Sequence, residues 1–198
     1  YLILNKPSGI SVRSGTKSPK NLIDILNKFS EDKRFYLVHR IDKETSGIII
    51  FACNRLFAQT LSEQFKSKDV KKSYLSILHG SIPRNEGTLE HDLVFKVKNQ
   101  MKTFKAETDF SVLSKNKNFT YVEATPITGR KHQIRQQFFK VNHPIVGDGK
   151  YKIPHYVNKG TFLMLHSYKI TFYDKGKEKT FKVEPPKEFK NFLKKSNL

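Results

Sequence analysis

Residues 36–53, YLVHRIDKETSGIIIFAC, decide how the rest of the chain is read. They hold two apolar runs around a polar loop. Residues 47–53 (GIIIFAC) form a continuous β-branched run, the pattern of a buried strand. Residues 36–38 are apolar and strand-like. Between the two, His39 to Gly47 set a carboxylate, Asp42, beside two cations and two hydroxyls. A polar loop emerging from buried strands is where a rigid scaffold presents reactive groups. A carboxylate near Arg stays ionised and serves as nucleophile or base. The same residues also suit a solvated, charged turn.

Working outward, residues 1–5 read as a short strand and Lys6-Pro7-Ser8-Gly9 as a turn. Ser18-Pro19 is a helix-start signal ahead of Leu22, Ile23, Leu26 and Phe29 at helical spacing. Asn54 is placed to cap a helix with Leu56, Phe57, Leu61 and Phe65 on one face. Residues 73–79 read as a strand, and residues 81–102 fit no single pattern. Residues 105–113 and 118–124 alternate as two strands, with polar 114–117 closing a hairpin. Thr128 is placed to cap a helix from about Arg130 to Lys140. Residues 143–160 read as a long loop, 162–173 and 180–183 as strands, and 187–195 as a helix after Pro185-Pro186. The result is one α+β domain with more strand than helix.

The chain has 198 residues, enough for one domain with a substantial core. Apolar residues make up only 37%, yet 16 Phe and 8 Tyr supply bulk, so disorder throughout is excluded. No run approaches the ~20 apolar residues of a membrane span. One cysteine, Cys53, excludes a disulfide-stapled fold and, set in an apolar run, reads as an inert core residue. Lys and Arg number 37 against 18 Asp and Glu, net +19. The excess is +7 over residues 1–99 and +12 over residues 100–198, so it is not a detachable tail. A folded body this basic suits a polyanionic partner, nucleic acid above all.

A second constellation is Thr128-Gly129-Arg130-Lys131-His132-Gln133-Ile134-Arg135. In a helix, Lys131 and Arg135 repel at i,i+4 and oppose the helix dipole. Something anionic should compensate, either a phosphate or an internal carboxylate such as Asp42. A third is Lys71-Lys72-Ser73-Tyr74, where Tyr is placed to stack on a nucleobase or to sit half-buried in a strand. In the fourth, His143 to Asp148, Asp148 reads as shaping a turn. Scattered His residues and one Cys give no metal-ligand set, and no phosphate-binding Gly motif is present.

Together and in this order, these blocks resemble the RluA-type family of RNA pseudouridine synthases. HRIDKETSGIIIFA at 39–52 is similar to that family's signature. LNKPSGISV at 4–12, KKSYLSILHG at 71–80, TPITGRKHQIRQQF at 125–138, HPIVGD at 143–148 and LMLHSYKITF at 163–172 match its other blocks. The resemblance covers nearly the whole chain. It implies an α+β fold, a mixed and largely antiparallel sheet with a central basic cleft, flanked by helices and loops. It implies isomerisation of uridine in a ribosomal RNA stem-loop, the large subunit first, or in tRNA. No metal or organic cofactor is expected, nor a membrane partner, and the family is usually a cytoplasmic monomer. Residues 1–198 would be the catalytic domain of a slightly longer chain, without the small upstream RNA-binding domain of many relatives.

The resemblance also assigns roles. Asp42 matches the essential aspartate, and Arg135 the basic residue that holds it ionised and aimed. Tyr74 matches the tyrosine packed against the flipped uracil. Arg40 matches the arginine that fills the vacated stack. Ile134 and Leu165 match pocket-lining apolar positions. Lys72, Arg130 and His132 lie in the same blocks and are expected to contact RNA. Gln137 stands where relatives often have His, and Lys131 where Thr or Ser is frequent. Two other readings were weighed. A catalytically silent RNA-binding protein would not need Asp42, Tyr74 and Arg135 together. A glycosylase commonly uses two facing carboxylates, and Glu44 is poorly placed as the second.

Overall fold

The computed structural model describes residues 1–13, 21–30, 33–154, 156 and 162–198. These fall into two compact units, each assembled from segments distant in sequence. The first comprises residues 1–72 and 166–186, the second residues 73–165 and 187–198.

The first unit is built on β3 (Ser46–Ala52), every residue of which is buried. β1 (Leu2–Lys6) and β2 (Tyr36–Leu37) pair with it antiparallel, and β8 (Leu165–Asp174) pairs with it parallel through Ser46–His166 and Gly47–Ser167. β9 (Lys177–Lys182) adds antiparallel to β8. A strand covered on both faces must be apolar throughout, which is why GIIIFAC shows no alternation. α2 (Arg55–Ser67) packs Leu61, Phe57 and Phe65 onto Ile48, Ile50, Ile170 and Phe172. Each such side chain contributes about 1.5–3 kcal/mol by leaving water. As expected, Asn54 caps α2, accepting from the Phe57 N–H at 2.8 Å. Cys53 is only half-buried at the turn before α2, not in the core, because β3 ends one residue earlier.

α1 (Leu22–Phe29) is capped by Asn21, which accepts from the Asp24 N–H at 3.1 Å. Ser18 and Pro19 lie outside the described residues. Gly47 has φ +110, and a Cβ there would meet the Ser167 carbonyl oxygen at 2.2 Å. Only glycine lets β3 start this close to β8.

In the second unit four strands run in the order β4-β7-β6-β5, all antiparallel: β4 (Lys71–His79), β7 (Phe119–Pro126), β6 (Gln100–Lys115) and β5 (Glu86–Val97). The stretch that fitted no pattern is therefore a long hairpin. Its turn is Lys98-Asn99, both at positive φ, the geometry of a two-residue I′ turn. The next hairpin closes at residues 116–118, where Asn116 accepts from the N–H groups of Asn118 and Phe119. α4 (Lys187–Lys195) buries Phe189 against Tyr121 and sets Phe192 on Phe119.

α3 (Gln133–Lys140) starts later than expected, with His132 at its N-cap and φ +53. Thr128 is not its cap. The Thr128 hydroxyl instead accepts from the Glu107 N–H and donates to the Gln133 side-chain carbonyl. Lys131 thus lies outside the helix, and the expected Lys131–Arg135 repulsion within it does not arise.

Candidate functional site

The Asp42 loop is held from below by residues 6–10. The Lys6 side chain is 1% exposed, and its ammonium donates to the carbonyls of Pro7, Ile10 and Lys43 at 2.8, 3.0 and 3.0 Å. All three of its protons are used. The Gly9 N–H also donates to Lys43 O, and the Ser8 hydroxyl to Glu44 O at 2.6 Å. The Thr45 N–H donates to Asp42 O within the loop. Burial pushes Lys6 down to about 8, while the negative charges of Glu44 and Asp42 pull it back up. The half-buried Asp42 therefore sits in the field of a buried cation whose hydrogen bonds all go to neutral carbonyls. Ile41 is buried beside it, and Arg40 is exposed.

Two histidines fix the ends of this segment. The Ile50 N–H donates to His39 Nε2 at 2.9 Å, so that nitrogen carries no proton. The ring stacks on Phe65, and burial together with Lys72 pushes it down to about 3. Lys72 places its ammonium 5.8 Å from the Phe65 ring centre, and burial lowers it too. His166 Nε2 faces the Val183 carbonyl at 3.0 Å and must donate there. In the neutral ring Nδ1 then accepts from the Ser46 hydroxyl at 2.9 Å, just before Gly47.

The second unit carries the other expected catalytic residues. Tyr74 is half-buried on β4, opposite Ala124 of β7. Arg135, 4% exposed in the first turn of α3, binds Asp148 through two bonds, Nε to Oδ2 at 2.7 Å and Nη2 to Oδ1 at 2.8 Å. Asp148 is fully buried and also accepts from the N–H groups of Lys150 and Tyr151. Burial alone would raise its carboxyl. The Arg135 bonds, these amides and the Arg135 charge outweigh that and hold it below the usual carboxylate range. Asp148 shapes its turn, as expected, but it is also the carboxylate that Arg135 pairs with inside this unit. That role was missed, since thirteen residues and a loop separate the two.

The Tyr151 ring lies 5.4 Å from the Arg135 guanidinium carbon, and its hydroxyl meets His132 Nδ1 at 3.0 Å. Gln133 and Gln137 lock α3 to the hairpin. Gln133 donates to Glu107 O and the Thr108 hydroxyl, while Gln137 donates to Leu89 O and Ala106 O and accepts from Thr108 at 2.6 Å. Gln137 therefore fills a structural role, with both its amide nitrogen and its oxygen engaged. Ile134 and Leu165 are buried, at 6% and 3% exposure. Arg130 is exposed, lies 5.1 Å from the Phe104 ring centre and donates from Nε to Lys105 O.

Among the described residues, no group of three or more His, Cys, Asp or Glu side chains is placed to hold a metal ion. No helix is long and apolar enough to cross a membrane among them. The motifs assign no role to Lys6; its position between a strand and the Pro7-Ser8-Gly9 turn is the available signal.

Residues 1–140 match the family model described as RNA pseudouridylate synthase. The chain is 36% identical to the ribosomal large subunit pseudouridine synthase C of Buchnera aphidicola subsp. Baizongia pistaciae, over 98% of this chain and 67% of that one. It covers 61% of the protein of the same name from Pasteurella multocida, at 35% identity and over 93% of this chain. It is 32% identical to the dual-specificity RNA pseudouridine synthase RluA of Yersinia pestis, over 92% of this chain and 94% of that one. The solved structure of human RNA pseudouridylate synthase domain containing 4 superposes with a TM-score of 0.83 at 25% identity, over 98% of this chain and 89% of that one. The chain belongs to the RNA pseudouridylate synthase family.

Proposed function

We propose that the protein converts uridine to pseudouridine in ribosomal RNA of the large subunit. The observation that carries this reading is the half-buried Asp42 on a loop whose Lys43 carbonyl is held by the buried Lys6 ammonium, in a chain of this family. The reaction breaks the N1–C1′ bond, turns the uracil and forms C5–C1′. The C5 proton leaves and N1 gains one, so no atoms are lost overall. The base must first leave its stack, at about a few kcal/mol. Arg40, exposed on the loop, is the long cation suited to fill the gap. Asp42 then acts by one of three routes: addition to uracil C6, attack at C1′, or removal of the C2′ proton.

Arg135 and Tyr74 complete the catalytic set in this proposal. Arg135 offers directed donors whose aim is fixed by Asp148. Tyr74, Ile134 and Leu165 supply uncharged walls that keep the detached uracil from water, which separates an isomerase from a glycosylase. Lys72, Arg130 and His132 add contacts to an RNA held in a basic cleft.

The test is tritium release from RNA labelled at uridine C5, with wild type and Asp42→Asn, on large-subunit rRNA and on tRNA separately. Release from rRNA by wild type alone supports the reading. Release from tRNA only would move the substrate. Lack of release from either RNA, with binding intact, would favour a silent RNA-binding protein.

A further inference from the structure

Asp42 and Thr45 close a four-residue turn, the Thr45 N–H donating to Asp42 O at 3.2 Å. Such a closure sets the two Cα atoms within about 7 Å, so both side chains leave the backbone at the mouth of the turn. The backbone between them is fixed. Lys43 O accepts from the Lys6 ammonium and the Gly9 N–H, and Glu44 O accepts from the Ser8 hydroxyl. Lys43 and Glu44 are exposed at the crest, Asp42 is half-buried, and Thr45 is 2% exposed.

Thr45 and Ser46 carry adjacent hydroxyls with equal burial and opposite fates. Ser46, also 2% exposed, donates to His166 Nδ1 at 2.9 Å. The Thr45 hydroxyl, just as far from water, makes no hydrogen bond among the described residues. A buried hydroxyl without a partner loses its hydration with no bond in return. Valine has the same branched outline and would fill the position without that loss. Packing therefore accounts for the branched shape at position 45 but not for its oxygen. An unpaired polar group in a native interior calls for a further explanation. This one lies three residues from the carboxylate of the proposed reaction.

We propose that Thr45 is a positioning residue of the isomerisation. As the flipped uridine reaches Asp42, the carboxylate turns towards the mouth of the turn and the Thr45 hydroxyl donates to one of its oxygens. That bond fixes the rotation of the carboxylate and leaves the other oxygen for the reaction, whichever of the three routes it takes. A hydrogen bond to an ionised oxygen is stronger than one to a neutral group. The hydroxyl left unpaired in the resting protein thus gains its bond where it speeds the reaction. This rests on the proposed conversion of uridine. The competing explanation is an ordered water that satisfies the hydroxyl within the fold. The two differ in sign, because removing the oxygen stabilises the protein in the first case and destabilises it in the second.

The experiment compares wild type, Thr45→Val, Thr45→Ser and Ser46→Ala. It measures single-turnover tritium release from a C5-labelled large-subunit rRNA fragment, affinity for the same RNA, and thermal unfolding. Thr45→Val should melt about 2–4 °C higher than wild type. It should bind RNA within about twofold, yet release tritium about tenfold more slowly at saturating RNA. Thr45→Ser keeps the oxygen and loses the methyl, so it should melt lower and still turn over within about threefold of wild type. Ser46→Ala takes the Ser46 donor from His166 Nδ1 and should melt lower as well. Activity then follows the oxygen at position 45 while stability follows the methyl, a split that a merely structural threonine does not give. Wild-type turnover by Thr45→Val overturns the inference and leaves the proposed function standing. A Thr45→Val protein that melts lower, as Ser46→Ala does, also overturns it, since the hydroxyl is then bonded within the fold. A wild type that releases no tritium overturns the proposed function, and this inference with it.

Discussion

Lys6 in the first unit and Arg135 in the second are both buried cations, and they are satisfied in opposite ways. Lys6 gives its three protons to backbone carbonyls and, among the described residues, meets no carboxylate by direct bond. Arg135 is clasped by both oxygens of Asp148. A cation on neutral dipoles keeps its field and can be discharged, and burial brings Lys6 to about 8. A cation on a buried carboxylate has its charge largely cancelled and never titrates in the working range. What it retains is direction. Lys6 thus bears on the Asp42 loop through its charge and its bond to Lys43 O, whereas Arg135, in the proposed reaction, would work through the fixed geometry of its donors.

The largest effect should come from breaking the Arg135 pair. Asp148→Ala takes the two-oxygen clasp away from a buried guanidinium and should cost about 3–5 kcal/mol of stability. Thermal unfolding would report a fall of about 6–20 °C. Arg135→Met combined with Asp148→Leu should recover most of that stability while turnover stays lost. If the single variant were as stable as wild type, the pair would not be the brace described.

Lys6 sharpens the other side. Turnover should fall as pH rises through about 8, because Lys6 is charged below that value and neutral above it. Lys6→Met should run about tenfold slower at pH 7, or about 1.4 kcal/mol, and lack that alkaline limb. A persistent limb in the variant would assign the titration to another group.

His39 tests the loop's other support by acid. It is neutral in the fold and pushed down to about 3, against an ordinary value near 6.5. The unfolded chain therefore takes up the proton first, so stability should drop as pH falls from 6.5 towards 3. His39→Gln should flatten that part of a urea-denaturation series. The smallest effect is expected from Tyr151→Phe, which removes one bond to His132 and about 1 kcal/mol. A larger loss would mean that the tyrosine hydroxyl helps to aim Arg135.

The legibility of these features in the sequence follows from their physics. GIIIFAC at 47–53 announced β3 because burial on both faces leaves no room for polar alternation. Asn54 announced α2 because a side-chain cap is a local bond. α3 was misplaced by several residues because His132 enters it at positive φ without a side-chain cap, so the expected Thr128 signal belonged to a turn. The β5–β6 hairpin was hidden because its turn is Lys-Asn, without Gly, and its tip pairs with no third strand among the described residues. Asp42, Tyr74 and Arg135 are proposed as site residues on a family's motifs. Asp148 was not legible as the partner of Arg135, because a long-range ion pair leaves no periodic trace.

Gly47 carries one more consequence, for heredity. Its missing Cβ is what lets the Ser167 carbonyl approach. Every single-nucleotide change of a glycine codon that alters the residue installs a side chain or stops translation. Position 47 therefore has, synonymous codons aside, no neighbouring genotype that keeps β3 seated on β8. A saturation library should recover glycine there and little else, even with every RNA-contacting residue left intact.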